Sequence, residues 1–336
     1  MKRSQLFPLF VGLYLSLGIF HVGCSDKVTP VIEEEDKVDD STAIACDDQY
    51  GAPPMPTTSI VSMNPSCKDA DLLTWKQGSV TRYACLNYPD QADTEDYQWP
   101  MIVYLHGSLR DPSSLYSDGV NLYDLRNDYQ LSDNENIHGF IILSPQGRRA
   151  TPYKGDGPQT GTGYHWDEWY RNSEDNLDAL AIDHFIDSAK NTGKVDTSRI
   201  YVYGWSNGAY MTVLYSTWRS SMVAAMGQYA GGDPWTRTPC PISKTYTRQV
   251  PLFLLRNLCD KLVPCSASSE WIDTLKANNW PFEYYSLDSD GAVIASDVCS
   301  TDTACAGTEG LREHFRWPDQ SALKLMLEFF KAHPLS

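Results

Sequence analysis

Apolar residues in this chain fall into two alternating patterns. Short continuous runs, bounded by Gly, Pro, Ser or Asp, read as buried strands: Met101 to Leu105, Gly139 to Leu143, Ile200 to Tyr203, Val223 to Tyr229, Pro251 to Leu255 and Phe282 to Leu287. Between them come stripes at offsets of three, four and seven, the spacing of one helix face. These are Ile182, Phe185, Ile186 and Ala189; Met211, Leu214, Tyr215 and Trp218; a stretch from about Ser268 to Asn278; and Leu323, Met326, Leu327 and Phe330. Ser79 to Tyr88 alternates loosely, as an edge strand does, and Cys46 to Gly78, rich in Pro, Ser and Thr, reads as an irregular covering segment held by Cys46, Cys67 and Cys85. Strands alternating with helices predict an α/β fold, with a mostly parallel central sheet flanked by helices.

One junction in this pattern carries chemistry. The run Ile200 to Tyr203 leads straight into Gly204-Trp205-Ser206-Asn207-Gly208, and the stripe beginning at Met211 follows. Strand, Gly-x-Ser-x-Gly and helix together make the setting of a nucleophile elbow, a turn so tight that glycine must flank the serine. A serine at neutral pH needs a base, and the base needs an orienting carboxylate; on this scaffold they follow in the order serine, acid, histidine. Asp260 lies just beyond the run Pro251 to Leu255, where open α/β sheets place their sites, and Asp288 and Asp290, after the next strand, are its rivals. Seven histidines occur. His21 is in the N-terminal leader, His333 is at the end, and His106, His138, His165 and His184 precede Ser206, which leaves His314 as the base. Two backbone N–H groups should meet the developing oxyanion: one from Asn207, the other from Gly107 or Ser108 after the His106 strand.

The rest of the chain sets the context. Its 336 residues suffice for one large or two small domains, and its net charge of −16 argues against nucleic acid as a partner. No His-Glu-x-x-His, Walker or Rossmann fingerprint occurs, so neither a metal nor a nucleotide cofactor is expected. Met1-Lys2-Arg3 followed by apolar Leu6 to Phe20 reads as a signal peptide, 1–23, too short to span a membrane. It ends in His21-Val22-Gly23-Cys24, which resembles a bacterial lipobox with Cys24 as the lipidated residue; ordinary cleavage nearby is the alternative. The acidic stretch 24–50, including Glu33, Glu34, Glu35 and Asp36, reads as a disordered tether, and 51–336 as the catalytic domain. Of nine cysteines, Cys24 set aside leaves eight, a disulfide complement for an oxidising compartment. Cys259 with Cys265, and Cys299 with Cys305, would make short loops.

Val195 to Thr212 resembles the elbow of the polyhydroxybutyrate depolymerase and feruloyl/acetylxylan esterase group of α/β-hydrolases. Tyr104-Leu105-His106-Gly107, Asp260 with Val263-Pro264, and His314 before Trp317-Pro318 are similar too, and the likeness runs from about Ser79 to the C-terminus. The sequence departs from that group at Arg256-Asn257, where His-Gly is usual, and at Arg312-Glu313. The resemblance implies an α/β-hydrolase fold and a serine esterase that cleaves polyester, or feruloyl or acetyl esters of plant polysaccharide, through an acyl-enzyme. It also places aromatic residues near the cleft: Tyr164, Trp166 and Trp169 of the loop Tyr164 to Tyr170, with Trp205 and Trp317, either contact substrate or cover the core. The elbow wording is similar as well to prolyl-oligopeptidase-type serine peptidases, whose β-propeller has no room here; a non-catalytic binding protein on the same scaffold is the third reading. The expected partner is an ester substrate, possibly polymeric, with membrane contact only through the lipid anchor. The expected location is exported: an outer-membrane or cell-surface lipoprotein, otherwise periplasmic or extracellular.

Overall fold

The computed structural model describes residues 63–336 except 94–95, 118–119, 151–152, 155–156, 159–162, 169, 171, 236–245, 296–298 and 300–309. The signal peptide, the acidic tether, Cys24, Cys46, Trp169, Cys240 and Cys305 lie outside the described residues.

The strands of the central sheet are β1 (Asp71–Gln77), β2 (Val80–Asn87), β3 (Trp99–Leu105), β4 (Ile141–Pro145), β5 (Val195–Trp205), β6 (Met226–Tyr229), β7 (Leu252–Asn257), β8 (Phe282–Leu287) and β9 (Val293–Ile294). They lie side by side in the order β1-β2-β4-β3-β5-β6-β7-β8-β9. The six from β4 to β8 run parallel, and β1, β2 and β9 are antiparallel margins. The long helices among the described residues are α1 (Leu177–Lys190), α2 (Asn207–Trp218), α3 (Cys265–Ala277) and α4 (Gln320–Ala332).

Strand periodicity divides the core between the two faces of the sheet. Met101, Val103 and Leu105 of β3 pack in one cluster with Phe185 of α1, Met211 and Leu214 of α2, and Trp271 of α3. Ile102 and Tyr104 pack in the other with Tyr201 and Tyr203 of β5 and Leu323, Met326, Leu327 and Phe330 of α4. α1 and α4 start where a side chain meets free N–H groups: Asn176 accepts from Asp178 and Ala179, and Asp319 accepts from Ala322.

Three local expectations change. Ser79 to Tyr88 is not the edge, because β1, inside the segment read as irregular, pairs with it from Asp71↔Leu86 to Gln77↔Val80. An edge strand open to solvent needs no strong apolar pattern, and β1 has none. The strand read as Ile200 to Tyr203 is longer: β5 already begins at Val195, opposite Trp99. Between described cysteines the disulfides are Cys67–Cys85, which fastens the chain ahead of β1 to β2, and Cys265–Cys299, whose Cα atoms are 5.6 Å apart. The short loops Cys259–Cys265 and Cys299–Cys305 are therefore not formed. Spatial approach, not proximity in sequence, decides pairing, and the chain beyond β9 returns to the start of α3. Cys259 is disulfide-bonded as well.

Candidate active site

The elbow sits at the carboxyl end of the central strand β5. Ser206 has φ 55° and ψ −123°, a backbone conformation that non-glycine residues rarely hold and that costs about 1–3 kcal/mol. Its N–H donates to the Tyr229 carbonyl of β6 at 3.0 Å, which anchors the turn. The flanking glycines are obligatory. A Cβ on Gly204 would lie 2.3 Å from the Gly208 carbonyl oxygen, and one on Gly208 would lie 2.1 Å from that of Leu105.

Two loops meet the serine. β7 extends through Arg256-Asn257, so Asp260 follows the strand closely, while His314 comes from the 3₁₀ turn Gly310–Phe315. His314 Nε2 lies 2.8 Å from Ser206 Oγ and Nδ1 lies 2.7 Å from Asp260 Oδ2. The other carboxylate oxygen of Asp260 accepts from the N–H groups of Leu262 at 2.8 Å and Val263 at 3.0 Å. A carboxylate so held accepts from Nδ1–H, which leaves the Nε2 lone pair facing the serine hydroxyl. Asp260 and His314 are both buried. Asp288 instead closes the β8–β9 turn by accepting from Asp290 and Ala292. Behind the imidazole, Trp205 donates through Nε1 to the His314 carbonyl at 3.1 Å and packs on Phe315 and Trp317.

Asn207 and Gly107 adjoin the elbow. Asn207 opens α2, so its N–H belongs to the first turn, where no intrahelical acceptor exists. Gly107 lies against the Trp205 ring, 2.5 Å from where a Cβ would stand. His106 is fully buried below them: its Nδ1–H donates to the Gly107 carbonyl at 2.8 Å, and Nε2 accepts from Gly147 N–H at 3.0 Å. Burial pushes this imidazole down to about 4, so it stays neutral. Unfolding restores the ordinary value of 6.5. The resulting stability is therefore complete above pH 6.5 and lost as pH falls toward about 4, a swing on the order of 3 kcal/mol. Urea midpoints should drop between pH 7 and pH 4.5, and a midpoint flat across that window would contradict this assignment.

The described aromatic residues of the loop are buried. Trp166 is 0% exposed and Trp205 1%, and Trp317 is buried against Trp205. Tyr164 is also buried, its hydroxyl accepting from Met63 N–H at 3.0 Å. Beneath the loop lies a buried charge cluster with no sequence signature. Arg82 meets Asp178 at 2.7 Å, and Arg148 meets Asp167 at 2.9 Å and Asp178 at 3.3 Å. Burial alone would raise the Asp178 carboxyl, but Arg148 and Arg82 outweigh it and hold the group below its usual range.

The strand order, the elbow and the three residues gathered at its tip define the class: this chain has the α/β-hydrolase fold. No protein-family model matches it. Among solved structures it is similar to a thermostable esterase, with a TM-score of 0.50 and 18% identity over 79% of this chain and 63% of that one. It is similar also to a ferulic acid esterase, with a TM-score of 0.52 and 15% identity over 78% of this chain and 96% of that one. At such identities the likeness is one of fold. In sequence it is similar to poly(3-hydroxyalkanoate) depolymerase C of Paucimonas lemoignei, 26% identical over 133 residues, which is 40% of this chain. The match spans 28% of that depolymerase's length.

Proposed function

We propose that this protein is an exported serine esterase. The observation that carries the reading is the unbroken hydrogen-bonded chain Ser206–His314–Asp260 at the tip of the elbow. Ser206 Oγ attacks the ester carbonyl as His314 Nε2 takes its proton, and Asp260 steadies the imidazolium. The N–H groups of Asn207 and of Gly107 or Ser108 receive the oxyanion. The intermediate collapses, His314 protonates the departing alcohol, and water then attacks the acyl-enzyme by the same route. Disulfides fit folding in an oxidising compartment, with Cys24 as the proposed point of lipid attachment.

Three large exposed apolar side chains are neighbours of the site residues along the chain. Leu109, Leu262 and Phe315 are 60%, 49% and 43% exposed, and they stand one or two residues from Ser108, Asp260 and His314. Apolar surface of this kind favours a water-poor partner. It supports an aliphatic polyester over a hydrated polysaccharide ester, in keeping with the activity named for the Paucimonas lemoignei relative. A panel of polyhydroxybutyrate suspension, acetylxylan, a feruloyl ester, p-nitrophenyl acetate and a matched anilide tests the reading. Esters should turn over and the anilide should not; the reverse would make the protein a peptidase. Leu262→Ser should lower the rate on suspension relative to p-nitrophenyl acetate by about tenfold, the worth of one lost apolar contact. An unchanged ratio would remove Leu262 from substrate binding.

A further inference from the structure

The two halves of the proposed oxyanion hole come from separate elements: Asn207 from the start of α2, and Gly107 and Ser108 from the turn after β3. Something must hold them in register, because a donor misplaced by about 1 Å forfeits much of its effect. Three hydrogen bonds tie them through one fully buried residue. The Asn207 carboxamide makes a two-point pair with the backbone of Trp166: Oδ1 accepts from its N–H at 2.7 Å, and Nδ2 donates to its carbonyl at 3.0 Å. The indole of Trp166 then donates through Nε1 to the His106 carbonyl at 2.8 Å. Trp166 is 0% exposed.

The last bond bears directly on a donor. The His106 carbonyl and the Gly107 N–H belong to one planar peptide unit, so fixing the first fixes the direction of the second. The next unit, Gly107 carbonyl with Ser108 N–H, is pinned separately by His106 Nδ1–H at 2.8 Å and by Arg110 N–H at 3.2 Å. Both planes that could supply the second donor are thus held from behind, one by Trp166 and one by His106.

We propose that Trp166, gripped by the Asn207 carboxamide, is a positioning residue that aligns the two halves of the oxyanion hole. The inference rests on the esterase reading and deepens it. Its action is confined to the transition state, since the oxyanion forms only there.

Trp166→Phe keeps a buried ring and the backbone pair with Asn207 but removes the Nε1–H. Its kcat on a soluble ester should fall about 10- to 100-fold while KM stays within about twofold. Affinity for a trifluoromethyl ketone analogue, whose adduct carries the oxyanion, should fall by the same factor. A merely structural tryptophan would lower the melting temperature without this kcat-against-KM split, and an unchanged kcat would overturn the proposal. Should Trp166→Phe fail to fold, Asn207→Ala decides, because it leaves the indole in place and breaks only the two-point pair. It should show the same split and the same loss of analogue affinity; an Asn207→Ala variant with unchanged kcat and unchanged analogue affinity would overturn the proposal. Labelling of the unmodified protein by a fluorophosphonate keeps the two readings apart. Without labelling at Ser206 the esterase reading itself fails; with labelling and an unaffected Trp166→Phe, only the clamp does.

Discussion

Ser206→Ala gives a folded protein whose ester turnover is lower by about 10⁴- to 10⁶-fold, with no labelling by a fluorophosphonate. The expectation follows from geometry. Ser206 Oγ is the atom 2.8 Å from His314 Nε2, and the substitution removes only that atom. The Cβ remains, so the strained backbone at φ 55° is retained and the fold has no reason to change. Ser206→Gly, by contrast, releases the left-handed strain and should raise stability by about 1 kcal/mol while losing activity equally. Asp260→Asn tests the far end of the chain. An amide facing Nδ1 favours the wrong tautomer, and kcat should fall by about 10⁴-fold. Retained turnover in purified Ser206→Ala would refute the assignment, and near-normal rates in Asp260→Asn would transfer the acid role elsewhere.

The second large effect concerns stability and lies away from the serine. Asp178→Ala should destabilise the protein by about 3–5 kcal/mol, because it removes the buried carboxylate that pairs with both Arg82 and Arg148. Asp178 also accepts the Asp167 N–H at 2.8 Å, so the loop ahead of α1 loosens with the charge cluster. Denaturant unfolding gives the magnitude; a loss below about 1 kcal/mol would mean that water or a side-chain shift satisfies the two guanidinium groups. Because the Asp178 carboxyl is held below its usual range, its contribution is present above the ordinary carboxylate pKa and is lost as pH falls below it. That loss begins where the His106 contribution is ending, so acid should unfold the chain over one broad interval.

Legibility in the sequence followed the range of each interaction. The elbow announced itself because strand, glycines, serine and helix are contiguous from Ile200 to Trp218. Asp260 and His314 were reachable through chain order alone, since the fold fixes which loops can approach the serine. The aromatic loop was not. Trp166 precedes Asp167, whose burial depends on Arg148 and Asp178, contributed by other elements. Cys265–Cys299 escaped for the same reason: a link across 34 residues has no local signature. β1 escaped for the opposite one, since a strand at the margin of a sheet carries too little apolar pattern to stand out.

Trp205 gives the loops a common datum. One indole touches Gly107 on the first, adjoins Ser206 on the second, and bonds the His314 backbone on the third. Specificity can then be rewritten from outside. On the proposed reading, grafts that exchange Leu109, Leu262 or Phe315 should change substrate preference while the inner alignment keeps its reference.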